Sequence, residues 1–157
     1  MPVTRAAIIG LALLASSPAM AQQRQAQLQR QEDLAQIVDR NVRTCIGQAR
    51  EAARVRTCLD GQRTTIEPRL EDAVRRVYSM QPSPERRAAA EGVQAAWAEY
   101  RNRRCGFAGS NPERGEDAAV DEAACQLQFT LGRVVEVEAL LQPPAPPPQQ
   151  QQQPRRQ

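Results

Sequence analysis

Four cysteines, Cys45, Cys58, Cys105 and Cys125, stand in a chain whose apolar residues recur at helical spacing, and their placement limits the fold more than any other feature. They are separated by 12, 46 and 19 residues. A zinc site built from four cysteines would show a close C-x-x-C pair, and there is none. In an oxidising compartment an even number of cysteines predicts disulfides instead, here two. The N-terminus points to such a compartment. Arg5 precedes an apolar run from Ala6 to Ala15, Ser16-Ser17-Pro18 interrupts it, and Ala19-Met20-Ala21 forms an A-x-A cleavage site. An apolar run of about ten residues falls well short of the roughly 20 needed to span a bilayer. Residues 1–21 therefore read as a signal peptide. The expected mature chain starts at Gln22, is periplasmic or secreted, and has no membrane span.

Both ends of that mature chain are low in complexity. Residues 22–31 are rich in Gln and Arg, and read as a solvated helical extension or a disordered one. Residues 142–157, QPPAPPPQQQQQPRRQ, hold six prolines and no apolar surface to bury, which predicts a disordered, extended Pro/Gln-rich tail. Between them, residues 32–141 carry a helical period, and no run alternates long enough for a half-buried strand. The expected fold is all-α, a small disulfide-stabilised bundle of about four helices.

Ser83-Pro84-Glu85 starts the clearest helix, with a capping Ser, Pro at the first helical position and an acid at the positive end of the dipole. Its apolar stripe reads Ala89, Val93, Ala96/Trp97 and Tyr100, and it is expected to stop at Cys105-Gly106. A helix near Glu67–Met80 carries Leu70, Val74, Val77 and Tyr78 on one face, with Glu71/Arg75 and Asp72/Arg76 pairs opposite. The last, from Asp117 to Leu141, is expected to bury Val120, Ala124, Leu127, Leu131 and Val134. Over Glu32–Leu59 one unbroken helix would hold Cys45 and Cys58 about 20 Å apart, whereas a disulfide needs Cα atoms within about 7 Å. Either the chain turns back, with Gly47 a candidate break, or each cysteine has a more distant partner. Cys105 and Cys125 present no such difficulty, and closing their loop would remove on the order of 3 kcal/mol of unfolded-state entropy.

Composition narrows the function. The chain has no histidine and no lysine, so the common general base, the Ser/His and Cys/His dyads, Schiff-base chemistry and the P-loop lysine are all absent. Its 21 basic and 18 acidic residues leave a formal net charge of +3, too little for a dedicated nucleic-acid binder. No enzyme, catalytic residue, metal site or cofactor is expected.

Two segments carry a resemblance. Gln94-x-x-Trp97-x-x-Tyr100-Arg101-x-x-x-Cys105, followed by Cys125-x-x-x-Phe129-Thr130-x-x-Arg133, resembles the LprI-type lysozyme-inhibitor domain. Cys45 and Cys58, then Leu70, Val74 and Tyr78, match that family's earlier cysteine pair and its upstream helix more loosely. The resemblance implies a small, disulfide-bonded, all-helical exported domain, associated in some members with inhibition of lysozyme. Read residue by residue, the motif is structural. Trp97 and Tyr100 suit core packing, Arg101 and Arg133 suit helix C-termini or carboxylates on other helices, and Thr130 suits a bond to its own backbone.

The segment from Glu113 to Glu122 departs from that blandness, with five acids and one Arg in a chain that is otherwise basic. Part of this charge matches a helix N-terminus. The rest, with Phe107, Glu113, Glu116 and Asp117, is the candidate surface for a cationic partner, a lysozyme or another cationic envelope protein. The alternative function is a non-catalytic envelope scaffold or binding module without inhibitory activity.

Overall fold

The computed structural model describes residues 18–142; the expected signal run before Pro18 and the tail beyond Gln142 lie outside the described residues. Four helices follow one another: α1 Pro18–Ile46, α2 Ala52–Ser79, α3 Pro84–Gly109 and α4 Asp117–Leu140, with a short 3-10 turn at Pro112–Arg114 before α4. There is no strand among the described residues. The fold is all-α, and both disulfides are present.

In α1 the residues Leu34, Val38 and Val42, one turn apart, are buried, and the preceding Gln/Arg-rich stretch continues the same helix. The helical reading of residues 22–31 is the correct one. The helix ends where Gly47 takes a left-handed φ of +58°, a conformation that suits a residue without Cβ, and donates its N–H to Arg43 O at 2.9 Å. The chain then reverses into α2. This reversal brings Cys45 and Cys58 together with Cα atoms 5.7 Å apart, and settles the pairing in favour of the turn at Gly47.

The second helix begins at Ala52, well before the Glu67 expected from the sequence. Pro68, which suits a helix start, sits in its interior and leaves the Thr64 carbonyl without its helical donor. Burial outweighs that loss, because Ile66, Leu70 and Ala73 on either side of the proline are buried in the core. Of the two charge pairs read from the sequence, Arg75 meets Glu71 at 4.0 Å and Asp72 at 3.2 Å, while Asp72 and Arg76 form no ion pair.

The third helix starts as expected, with the Arg86 N–H donating to the capping Ser83 Oγ at 3.3 Å. That hydroxyl also holds the Glu85 carboxyl below its usual range. At its other end α3 runs past Cys105-Gly106 to Gly109, so only Ser110–Glu116 separates it from α4. Gly109 permits a close approach there: a Cβ would lie 2.9 Å from the Cβ of Glu122.

Successive helices alternate in direction, so α2 and α4 run parallel and share the largest interface. The first helix lies against both, and a bidentate pair from Arg69 to Glu138, at 2.6 and 2.8 Å, ties α2 to α4. α3 packs on the opposite flank, mainly against α4, and touches α2 little. α4 is thus the hub. Leu127, Val134, Val135 and Val137 from it meet Leu34, Val38 and Val42 of α1 and Ile66 and Leu70 of α2 in one apolar core. Of the stripe expected for α4, Leu127 and Val134 are buried, whereas Val120, Ala124 and Leu131 are only partly so. Contacts on several sides make Ala118, Ala123, Thr130 and Arg133 buried as well.

The stripe expected for α3 is out of phase. Ala89 and Ala96 are exposed, and Val93 and Tyr100 are 60% and 58% exposed. The face turned to α4 carries Gln94, Trp97, Arg101 and Cys105 instead, which follow one another at helical spacing. The Cys105–Cys125 bond and the contact of Gly109 with Glu122 fix this rotation, and Tyr100, one residue from Arg101, is carried about 100° away from it.

Candidate functional site

Five of the six motif residues meet in the seam between α3 and α4. Arg133, 8% exposed, donates from Nε to Gln94 Oε1 at 2.9 Å and from Nη1 to Glu136 Oε1 at 2.7 Å. Its guanidinium stands 5.4 Å from the Trp97 ring centre, and that of Arg101 stands 5.1 Å from the same ring. Each contact is of the cation–π kind, strengthened by partial removal from water. Thr130, fully buried, donates its hydroxyl to Gln126 O at 2.8 Å and accepts from Arg101 Nη1 at 3.4 Å. Its expected bond to its own helix is there, and the second contact was not legible from α4 alone.

Arg101 reaches a carboxylate on another helix, as expected, but only at 4.0 Å from Glu67 of α2. Burial holds its pKa below the ordinary arginine value; the Glu67 charge opposes this and the Arg63 charge adds to it. Arg133 differs from expectation, bonding an amide across the seam and a carboxylate on its own helix rather than a helix C-terminus. Tyr100 lies outside the seam, edge-on to Phe129 with ring centres 5.7 Å apart, and is an exposed aromatic rather than a core one. Burial, with Glu91 next and Arg133 opposing, pushes the Tyr78 hydroxyl above its usual range. The seam offers no nucleophile paired to a base. Its arrangement fastens α3 to α4.

A match over residues 45–137, more than half of the chain, is to the family described as lysozyme inhibitor LprI. The chain belongs to the LprI family. The matched span runs from the first cysteine almost to the end of α4, and so contains both disulfides and all six motif residues. No curated protein and no solved structure matches the chain.

The four candidate partner residues of this LprI chain are at one end of the bundle. Phe107 belongs to the last turn of α3, not to a loop, and is 76% exposed. Glu113 lies in the 3-10 turn, where its N–H donates to the capping Asn111 Oδ1 at 3.0 Å. Glu116 and Asp117 open α4 without a side-chain cap, and all three acids are exposed and form no ion pair among the described residues. Asp121 is different. Arg114 clamps it through two bonds of 2.7 and 3.1 Å and holds its carboxyl below the usual range. The acidic segment is therefore partly neutralised from within, and the uncompensated charge falls on the exposed Glu113, Glu116 and Asp117 and on the half-buried Glu122.

The basic run Arg101, Arg103, Arg104 does not form one patch, because Arg101 turns inward and Arg103 pairs with Glu99. What the sequence reading missed is on α2. Arg56 and Arg63, seven residues apart and so on one helix face, meet Arg101 in a cleft. The spacing was visible; beginning the helix at Glu67 hid it. No cluster of three metal-ligating side chains occurs among the described residues, and none of their helices is long and apolar enough to cross a membrane.

Proposed function

We propose that this protein is an exported, non-catalytic inhibitor that binds a lysozyme and occludes its substrate cleft. The observation that carries the reading is that one end of the bundle holds both Phe107, 76% exposed, and the exposed, unpaired acids Glu113, Glu116 and Asp117. Protein interfaces are enriched in aromatic residues and have a polar rim, and lysozymes are commonly strongly basic. The Cys105–Cys125 bond clamps this end before any partner arrives, which lowers the ordering cost of association. Tyr100, two turns along α3 from Phe107, extends the apolar contact. The carboxylates act mainly on the association rate, an effect that weakens as salt rises. Export rests on the A-x-A signal pattern ending at Ala21.

A turbidity assay tests this reading. The purified chain starting at Gln22 slows lysis of a bacterial suspension by a basic lysozyme, and the variant with Glu113, Glu116 and Asp117 all changed to Arg slows it much less. Lysis at an unchanged rate with the unsubstituted chain in molar excess would sink the inhibitor reading and leave a non-inhibitory envelope binding module.

A further inference from the structure

The cleft between α2, α3 and the start of α4 plays no part in the lysozyme reading. Arg56 and Arg63 of α2 and Arg101 of α3 line it, with the amides of Asn102 and Gln126. Its volume of about 280 Å³ is far more than one water needs and is near the lower end for small-molecule sites.

The guanidinium groups of the cleft share their carboxylate partners. Arg63 pairs with Glu67 and stands 3.7 Å from Asp60, Arg56 reaches the same Asp60 at 3.5 Å, and Arg101 reaches the same Glu67 at 4.0 Å. Two carboxylates thus serve three guanidinium groups. Glu122, the remaining acid on the wall, packs against Gly109 and forms no ion pair with any of them. The other bonds of Arg101 go to neutral oxygens, Thr130 Oγ1 at 3.4 Å and Asn102 Oδ1 at 3.2 and 3.3 Å. The Nε–H of Arg63 is buried and makes no hydrogen bond, with Asp60 Oδ1 standing 3.7 Å from it, beyond hydrogen-bond distance. Buried donors are almost always satisfied, so one left open beside a polar cleft points to an acceptor supplied from outside.

The walls also select the kind of acceptor. A guanidinium fork matches the two oxygens of a carboxylate. Asp60 and Glu122 would repel a phosphate dianion about twice as strongly as a singly charged carboxylate, and they can accept N–H or O–H groups from the rest of a ligand. We propose that this cleft binds the free carboxylate end of a short peptide, with Arg63 and Arg101 as the clamp and Arg56 at the mouth. The site is independent of lysozyme binding, and its test reads a different surface.

The arginine Nε–H signals of the full mature chain, followed by NMR, provide that test. Titration with N-acetyl-dialanine is expected to shift the Arg63 and Arg101 signals saturably in the millimolar range, whereas its C-terminal amide leaves them in place. Arg63→Gln should weaken this binding by about tenfold or more, as the loss of a charge-assisted bond implies. Arg56→Gln, at a more exposed side chain, should weaken it less and keeps the test open if the first variant fails to fold. Arg104→Gln, outside the cleft, should leave it unchanged. Equal shifts with acid and amide, no saturable shift, or tighter binding of inorganic phosphate than of the peptide acid would overturn the assignment.

Discussion

The two flanks of α4 are built from different materials. Towards α1 and α2 it presents an apolar face, and the meeting residues are almost all Leu, Val and Ile. Towards α3 it presents Thr130 and Arg133, met by Gln94, Trp97 and Arg101, with a disulfide at one end. The first interface is held by area removed from water, which tolerates exchange among apolar residues of similar size. The second is held by hydrogen bonds and charge–ring contacts whose partners must all be present. One consequence is that α3 is free to leave Val93, Tyr100 and Phe107 in solvent, since its attachment does not depend on burying them.

This contrast can be broken at either flank. The largest effect is expected from Leu70→Ala, which empties a fully packed position and should cost about 3 kcal/mol in urea unfolding. A loss below about 1 kcal/mol would show that the apolar flank is not the main source of stability. Arg133→Ala comes next. Removing the guanidinium leaves Gln94 and Glu136 without their partner and Trp97 without one of its two cations, at a cost of about 2 kcal/mol. Hydrogen exchange should show that loss concentrated in α3, and an even loss across all helices would count against a separate polar seam. Tyr100→Ser should change stability by less than about 0.5 kcal/mol, because the ring is mostly in water. A larger loss would mean that its edge contact with Phe129 belongs to the seam.

The same contrast explains what could be read from the sequence. The apolar flank was legible because Leu70, Val74, Leu127 and Val134 repeat at helical spacing, and Gly47 was one candidate break by which Cys45 could reach Cys58. The phase of α3 was not. Ala89, Val93, Trp97 and Tyr100 make as regular a stripe as Gln94, Trp97, Arg101 and Cys105, and the choice between them depends on Thr130 and Arg133, some thirty residues further on. The motif brought those residues together on the page without showing which of them face inward; Tyr100 does not. Pro68 shows the same limit, since its local cost is visible in sequence and the burial that offsets it is not. For the proposed partner surface, the acids were legible as charge, but the internal pairing of Asp121 by Arg114 required the structure.

The proposed function requires the polar flank to fix α3 so that its far end can meet a cationic partner. The most direct measurement is the association rate with a basic lysozyme at low and at high salt, for the mature chain and for the variant with Glu113, Glu116 and Asp117 changed to Arg. For the mature chain we expect fast association at low salt that slows as salt screens the charges, and for the variant a slow rate at low salt that rises as salt screens the new repulsion. Equal rates for the two proteins at low salt would contradict this account.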